Sequence, residues 1–402
     1  IAGVRANAVN QHLKMPFERI DLNHLTEDDK ADFENILKLA GIRPRNFNAT
    51  IARCREMRDV ILKLYEDAQI RKILTEVARP LLNEPKLRRA MLESFVFKSL
   101  ELTLSPNMAR AMSLTDPTAA LEAAGDDLQP NIADLFRLED NTAEPWSAVV
   151  AEFLLQEMIT PADITDWAFF VAMKAGEIKQ QELEQDRLGY RFREAVTVLG
   201  KVLQVSNLKR LMAKFPDQDA HVRDMFERAR HVDVINVEPL FWLQFSLLIG
   251  NDQASYTVLV QADEYLDTAY QRAETLENFR TYQLDTHALR LMFRMETHPD
   301  RPNGDFAMVD EMAHLLERFR EMLGDGSHRS FVMRVLPMAK DFVDTRLQDI
   351  ALGDRARLAG LLDECGNCIE ALPLEIRLYD RGDEVVRSLR QAVHRLQSGP
   401  LA

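Results

Sequence analysis

Apolar residues recur every three or four positions through most of this 402-residue sequence, a spacing that places them on one face of an α-helix. Thr160-Pro161-Ala162-Asp163 shows how such a segment begins: an N-cap residue, a proline at the first helical position and an acid three residues after the cap. Glycine supplies only 15 residues, too few for the turns of an all-β fold or the crossover loops of a βαβ fold. The sequence therefore predicts a mainly α-helical protein.

Prolines and glycines that interrupt the helical pattern divide the chain into four predicted segments. Residues 1–102 are predicted to form a compact helical block, in which Thr26 caps an early helix and another begins near Ala49. Residues 103–157 contain short segments and one alternating run that predicts a strand, Leu135–Leu138. They are expected to form a small winged-helix-like unit or, alternatively, a helical domain with loops. Residues 158–236 form a helical connector, and residues 237–402 form helix pairs in series.

The helix pairs after residue 237 suggest a repeat architecture. Trp242 and Tyr282 occupy comparable places in successive pairs, forty residues apart. This spacing is slightly longer than that of tetratricopeptide repeats, and it predicts an α-helical hairpin solenoid of that class.

Charge and cysteine content constrain partners and compartment. The net charge is −14, and there are three cysteines, Cys54, Cys365 and Cys368. A negative field disfavours nucleic acid as a partner, and a sparse, odd cysteine set indicates a reducing, cytoplasmic setting. The longest apolar run falls well short of the roughly 20 residues that span a bilayer, so no membrane association is expected.

Known catalytic motifs are missing from the sequence. It contains no phosphate loop, dinucleotide-binding glycine turn, zinc-binding helix or nucleophile elbow, so we assign no catalytic, cofactor-binding or metal-binding residue. Cys365-Gly366-Asn367-Cys368 is open to three interpretations: structural thiols in a helix–helix contact, a redox pair, or half of a metal site. Asp285 and His287 lie two residues apart on a predicted helix, and His287 is expected to be a partly buried structural residue.

Three stretches after Val237 are more distinctive than their composition. Glu238–Phe245 contains Phe241, Trp242 and Gln244, the Ala262–Tyr270 stretch is rich in small and aromatic residues, and Phe279–Arg290 contains Tyr282, Gln283 and Asp285. This series resembles the C-terminal helical repeats of bacterial STAND proteins, signal-transduction ATPases found in antiphage defence. Phe17–Leu22 and Leu25-Thr26 resemble the end of the family's ATPase core and the start of its helical lid. The six motif residues are expected to pack and to form hydrogen bonds between helices.

The resemblance implies a sensing and regulatory region. It would recognise a trigger protein, of phage or other foreign origin, and control self-association of an effector-bearing complex. Ile1 is not a methionine, so we expect further sequence before it. The resemblance implies that ATP and Mg²⁺ would bind only in an ATPase module there. The competing interpretations are a tetratricopeptide-type adaptor without an ATPase and, third, a small-molecule enzyme that uses scattered His and Asp residues.

Overall fold

The computed structural model describes residues 31, 68–139, 142–277, 279–326 and 328–398. Helices dominate this part of the chain, as the sequence predicts, and a two-stranded sheet accompanies them. The helices predicted to begin at Thr26 and near Ala49, together with Cys54, lie outside the described residues. Within the described part, every helix falls short of the length and apolarity that crossing a membrane requires.

The elements follow one another in three stretches. The first comprises α1 (Ala68–Asn83), α2 (Pro85–Ser99), α3 (Pro106–Ala111), α4 (Pro117–Glu122), α5 (Gln129–Leu135), β1 (Phe136–Glu139), β2 (Thr142–Pro145) and α6 (Ala148–Met158). The second comprises α7 (Pro161–Glu184), α8 (Tyr190–Val202), α9 (Val205–Leu211), α10 (Gln218–Ala229), α11 (Asp233–Asn236), α12 (Pro239–Ile249) and α13 (Tyr256–Glu274). The third comprises α14 (Tyr282–Thr297), α15 (Val309–Asp325), α16 (Arg329–Val335), α17 (Met338–Arg346), a 3-10 turn (Leu347–Asp349), α18 (Leu352–Glu370), α19 (Leu374–Tyr379) and α20 (Gly382–Ser398).

Local sequence signals set several helix starts. Thr160 Oγ1 accepts a hydrogen bond from the backbone N–H of Asp163 at 3.2 Å, and Pro161 occupies the first turn of α7. This confirms the helix start predicted at Thr160. Asp116 caps α4 in the same way, because its Oδ1 accepts from the N–H of Thr118 at 3.0 Å. Such caps satisfy backbone donors that a helix leaves unpaired at its N-terminus.

Contacts divide the chain into two compact units. Among the described residues, the first contains 68–99 and Asp116–Met158, and the second contains Leu100–Thr115 and 159–398. The short segment 100–115 belongs to the second unit, where Ser105 binds Glu194 of α8 through its N–H at 2.7 Å and its hydroxyl at 2.8 Å. The boundaries of these two units differ from those of the four predicted segments. The roles proposed for the four segments stay predictions.

In the first unit, α2 packs against α1, α4 and α6. Strands β1 and β2 pair antiparallel. The strand predicted over Leu135–Leu138 is present but lies one residue later, because Leu135 ends α5. The hairpin is held to α2 by stacking of Phe136 on Phe95, with ring centroids 5.6 Å apart, and by an ion pair of 2.5 Å between Lys98 and Glu144. The winged-helix-like interpretation of this region stays a prediction.

In the second unit, sequential helices pack against each other, α7 with α8, α12 with α13, α13 with α14, and α14 with α15. Further along, α15 packs with α18, and α18 packs with α20. Helix α7 also approaches α11 closely at Gly176, where a Cβ atom would lie 2.9 Å from the carbonyl oxygen of Val234. Glycine permits this approach because it has no side chain. The consecutive packing is compatible with helix pairs in series.

Candidate functional site

The first motif segment forms α12, an almost wholly apolar helix. Phe241 is fully buried and stacks on Phe226 of α10, with ring centroids 5.2 Å apart. Trp242 faces Tyr265 of α13, with a centroid distance of 5.5 Å. These two motif residues therefore join α12 to the helix before it and the helix after it, and burial of large aromatic side chains stabilises such junctions.

The polar atoms of this segment bind backbone groups. Trp242 Nε1 donates a hydrogen bond to the carbonyl oxygen of Asn236 at 2.8 Å. Gln244 Oε1 accepts from the N–H of Val205 at 3.0 Å, at the N-terminus of α9. The side-chain amide of Gln244 thus satisfies a helix-terminal donor from a different helix. Both side chains are placed as connectors between helices.

The second motif segment forms the start of α14, where Asp285 is 5% exposed. Its Oδ1 accepts a hydrogen bond from the Tyr270 hydroxyl at 2.9 Å, and its Oδ2 accepts from Thr281 Oγ1 at 2.9 Å. Arg318 of α15 completes the set with an ion pair of 3.4 Å to Oδ2. Burial, followed by the neighbouring Asp285 carboxylate, raises the pKa of Tyr270 above its ordinary value. Asp285 therefore holds three successive helices, α13, α14 and α15, together.

The two remaining motif residues differ in their surroundings. The Tyr282 hydroxyl donates a hydrogen bond to Asp325 Oδ2 at 3.1 Å, and the Arg318 guanidinium lies 5.4 Å from the centroid of the Tyr282 ring. Gln283 is exposed, and its side chain has no hydrogen bond to any described residue. The structure thus brings Tyr282 and Asp285 together through Arg318, and it leaves Gln283 on the surface.

A buried serine and histidine pair links α12 to α14. Ser246 Oγ lies 2.8 Å from His287 Nε2 and 2.6 Å from the carbonyl oxygen of Ala262. Because the serine proton is donated to that carbonyl, Nε2 carries the hydrogen that joins the pair. Burial, and then the charges of Arg290 and Arg294, lower the pKa of His287 to about 3. This serine is not activated as a nucleophile, since the histidine donates to it instead of accepting its proton.

Three carboxylates that sequence reasoning missed line a small cavity between α13, α14 and α15. Asp263, Asp267 and Glu311 surround a space of about 20 Å³ with Met292 among the apolar residues of its wall. None of the three has an ion pair with a described residue. Burial, and then Asp267 and Glu311, raise the pKa of Asp263 to about 6. The packing of α13 and α15 against α14 brings these acids together, so no sequence pattern within one helix predicts the cluster.

The Cys-x-x-Cys sequence lies within α18. Cys365 is buried, and its Sγ donates to the carbonyl oxygen of Leu316 of α15 at 3.7 Å. Burial, and then the neighbouring Cys368, raise the pKa of the Cys365 thiol to about 12. A thiol of this kind is inert in disulfide exchange, which needs a thiolate. This geometry supports structural thiols at a helix–helix contact over a redox pair, and no group of His, Cys, Asp or Glu in the described ranges is arranged to hold a metal ion.

These features define a mainly α-helical protein in which five of the six motif residues lie at contacts between helices or between a helix end and its neighbour. Comparison with models of protein families, with curated proteins and with solved structures finds no match to this chain. The resemblance to STAND proteins therefore rests on the motif residues themselves.

Proposed function

We propose that this chain is the sensing and regulatory region of a STAND-type defence ATPase. The observation that supports this most is the position of Asp285, a motif residue that binds Tyr270 of α13 and Arg318 of α15 from its place on α14. A trigger protein that displaces any one of these helices disturbs the bonds to the other two. A displacement of one helix can therefore be transmitted through these bonds to distant parts of the chain.

Regulation of this type requires two states of the protein. The trigger must bind the oligomerising state more tightly than the resting state, because a ligand shifts an equilibrium only by its differential affinity. Helix pairs in series suit this task, since they offer a broad surface without an enclosed pocket. In this proposal ATP and Mg²⁺ act in an ATPase module outside these residues.

The full-length protein provides the test. It would be incubated with ATP and Mg²⁺, with and without individual phage proteins, while mass photometry reports its oligomeric state and phosphate release reports hydrolysis. A trigger should convert a small species into a large oligomer. Asp285→Asn should weaken this response at saturating trigger, whereas Gln283→Ala on the exposed face of the same helix should leave it unchanged. A full-length protein without a phosphate-loop module, or equal behaviour of the two variants, overturns the proposal.

The second candidate is a tetratricopeptide-type adaptor without an ATPase. The consecutive packing of α12 to α15 supports it equally, because it needs only a surface for protein partners. The two candidates differ in nucleotide dependence. An adaptor binds its partner with the same affinity in the presence and absence of ATP and Mg²⁺, whereas the regulator does not.

A further inference from the structure

A groove of about 650 Å³ lies between α17 and α20 in the second unit. Its lining consists almost entirely of hydrogen-bond donors: Lys340 from α17 and Arg387, Arg390, Gln391, His394 and Arg395 from α20. Asp344 is the one acidic residue among the lining residues. The chain as a whole carries a net charge of −14. The mostly basic lining of this groove is therefore opposite in sign to the net charge of the chain.

The donors from α20 form a continuous stripe. Positions 387, 390, 391, 394 and 395 follow the spacing of one helix face, and all five side chains are exposed. The opposite face carries buried residues such as Leu389 and Leu396, which pack in the core. From Val385 to Ser398 the helix contains no acidic residue. Acidic partners within α20 itself are therefore missing along this stretch. Arg390 pairs instead with α18, through Glu370 at 3.0 Å and Asp363 at 3.7 Å.

The groove already holds one carboxylate of its own chain. Asp344 lies between Lys340 Nζ, at 3.0 Å, and Arg395 Nε, at 3.1 Å. Hydrogen bonding to Lys340 holds the pKa of Asp344 below its ordinary value. Next to this pair, Arg387 has neither a hydrogen bond nor an ion pair with any described residue. The groove thus already binds one carboxylate, that of Asp344. The guanidinium of Arg387 is left without a carboxylate partner among the described residues.

We propose that the groove between α17 and α20 binds an acidic helical segment of a partner protein. Arg387 and Arg395 are eight residues apart, about 12 Å along the helix axis at 1.5 Å per residue. Carboxylates at every third or fourth position of a partner helix repeat with the same pitch, so they can pair with this stripe. Arginine favours carboxylates because its planar fork can donate two parallel hydrogen bonds. Nucleic acid is disfavoured because the chain as a whole carries a net charge of −14.

The proposal does not depend on whether the protein is an ATPase regulator or an adaptor, and it is tested without either. The probe is a fluorescent 20-residue helical peptide with Glu at every third and fourth position, and the reference is the same peptide with Gln in place of Glu. Anisotropy with the full chain should show binding of the Glu peptide that weakens as NaCl rises from 50 to 200 mM, because salt screens exposed charges.

Variants separate the groove from general charge effects. Arg387→Glu removes a side chain that makes no bond to a described residue, so the fold should be retained. It should weaken binding of the Glu peptide about tenfold, as expected for loss of one charge-assisted contact and gain of a repulsive one. Arg223→Glu, on the exposed face of α10, makes the same change of charge elsewhere and should have little effect. Equal binding of the Glu and Gln peptides, equal effects of the two variants, or tighter binding of a single-stranded 20-nucleotide DNA overturns the proposal.

Discussion

The phenolic hydroxyl of Tyr270 donates a hydrogen bond of 2.9 Å to Asp285 Oδ1, and the two residues lie on the neighbouring helices α13 and α14. Asp285 is buried, so its carboxylate oxygens depend on the surrounding donors for hydrogen bonds. Removal of one donor leaves a buried acceptor without a partner, which costs more free energy than the same loss at the surface.

The first prediction concerns this bond. Tyr270→Phe should lower the free energy of unfolding by about 1–3 kcal/mol, the range for a buried group that loses its partner. Urea denaturation monitored by circular dichroism measures the change. Tyr190→Phe is the matched control, because Tyr190 is 70% exposed and its hydroxyl makes no hydrogen bond to a described residue. Equal midpoints for the two variants would show that the Tyr270–Asp285 bond contributes little.

The second prediction concerns the three unpaired carboxylates. The folded-state pKa of Asp263, about 6, lies above its ordinary value of 3.8. The folded chain therefore binds this proton more tightly than the unfolded chain, and stability from this group falls as pH rises from about 4 to about 6. Asp263→Asn should raise the free energy of unfolding at pH 7.5 by about 1–3 kcal/mol, less where water still screens the carboxyl. At pH 4 the gain should vanish.

Urea denaturation of the unmodified protein and of the Asp263→Asn variant at pH 4 and pH 7.5 measures this difference. Asp305→Asn serves as the control, because Asp305 is exposed and forms no ion pair with a described residue. A gain for Asp263→Asn that is the same at pH 4 as at pH 7.5 would contradict the electrostatic explanation.

The third prediction concerns the pair of Ser246 and His287. Ser246→Ala removes the acceptor of the His287 Nε2 proton and the donor to the Ala262 carbonyl oxygen. The free energy of unfolding should fall by about 1–3 kcal/mol. Ser206→Ala, at an exposed position without a described hydrogen bond, should change it little. Thermal and urea denaturation distinguish the two outcomes, and similar losses would indicate that the buried pair is not special.

The fourth prediction uses the titration of the same histidine. The pKa of His287 in the folded chain, about 3, lies below its ordinary value of 6.5. As pH falls below 6.5 the unfolded chain takes up this proton first, so the group removes up to about 1.4 kcal/mol of stability per pH unit until pH approaches 3. His287→Gln should flatten the loss of stability between pH 6.5 and pH 4. An unchanged slope in a series of urea titrations would show that His287 is already charged in the folded state.

The fifth prediction concerns the thiols of α18. Burial keeps Cys365 protonated, with a pKa of about 12, whereas Cys368 is only half-buried. Iodoacetamide at pH 8 should therefore label Cys368 in the folded protein and Cys365 only after denaturation. Mass spectrometry of peptides reports the two sites separately, and Cys365→Ala should leave the labelling of Cys368 unchanged. Rapid formation of a disulfide between the two cysteines under mild oxidation would restore the redox interpretation.

Local features of the fold were predictable from the sequence. The start of α7 at Thr160 follows from the cap residue and the proline beside it, and both signals act within one turn. The start of α15 was harder to predict, because apolar spacing extends back to Phe306 whereas the helix begins at Val309. Phe306 is buried instead in an irregular segment, where its N–H binds the carbonyl oxygen of Asp349.

The contacts at the site were less predictable. The motif pointed to Asp285, but Arg318 and Tyr270 come from other helices, and only tertiary packing decides which face each helix presents. The same holds for Asp263 and Glu311, which no pattern within either helix connects. His328, the residue before α16, adopts a left-handed conformation with φ of 53° that no sequence pattern indicated.

The close approach of α7 and α11 at Gly176 suggests a way to make a conditional mutant of this protein in living cells. Gly176→Ala would place a methyl group against the Val234 carbonyl oxygen, 2.9 Å away. Relief of such a clash costs about 1–3 kcal/mol, which lowers the melting temperature of a domain of this size by roughly 2–4 °C per kcal/mol. The substitution touches none of the motif side chains or the groove. It therefore offers a temperature-sensitive allele with which the protein could be inactivated by warming a culture at a chosen moment.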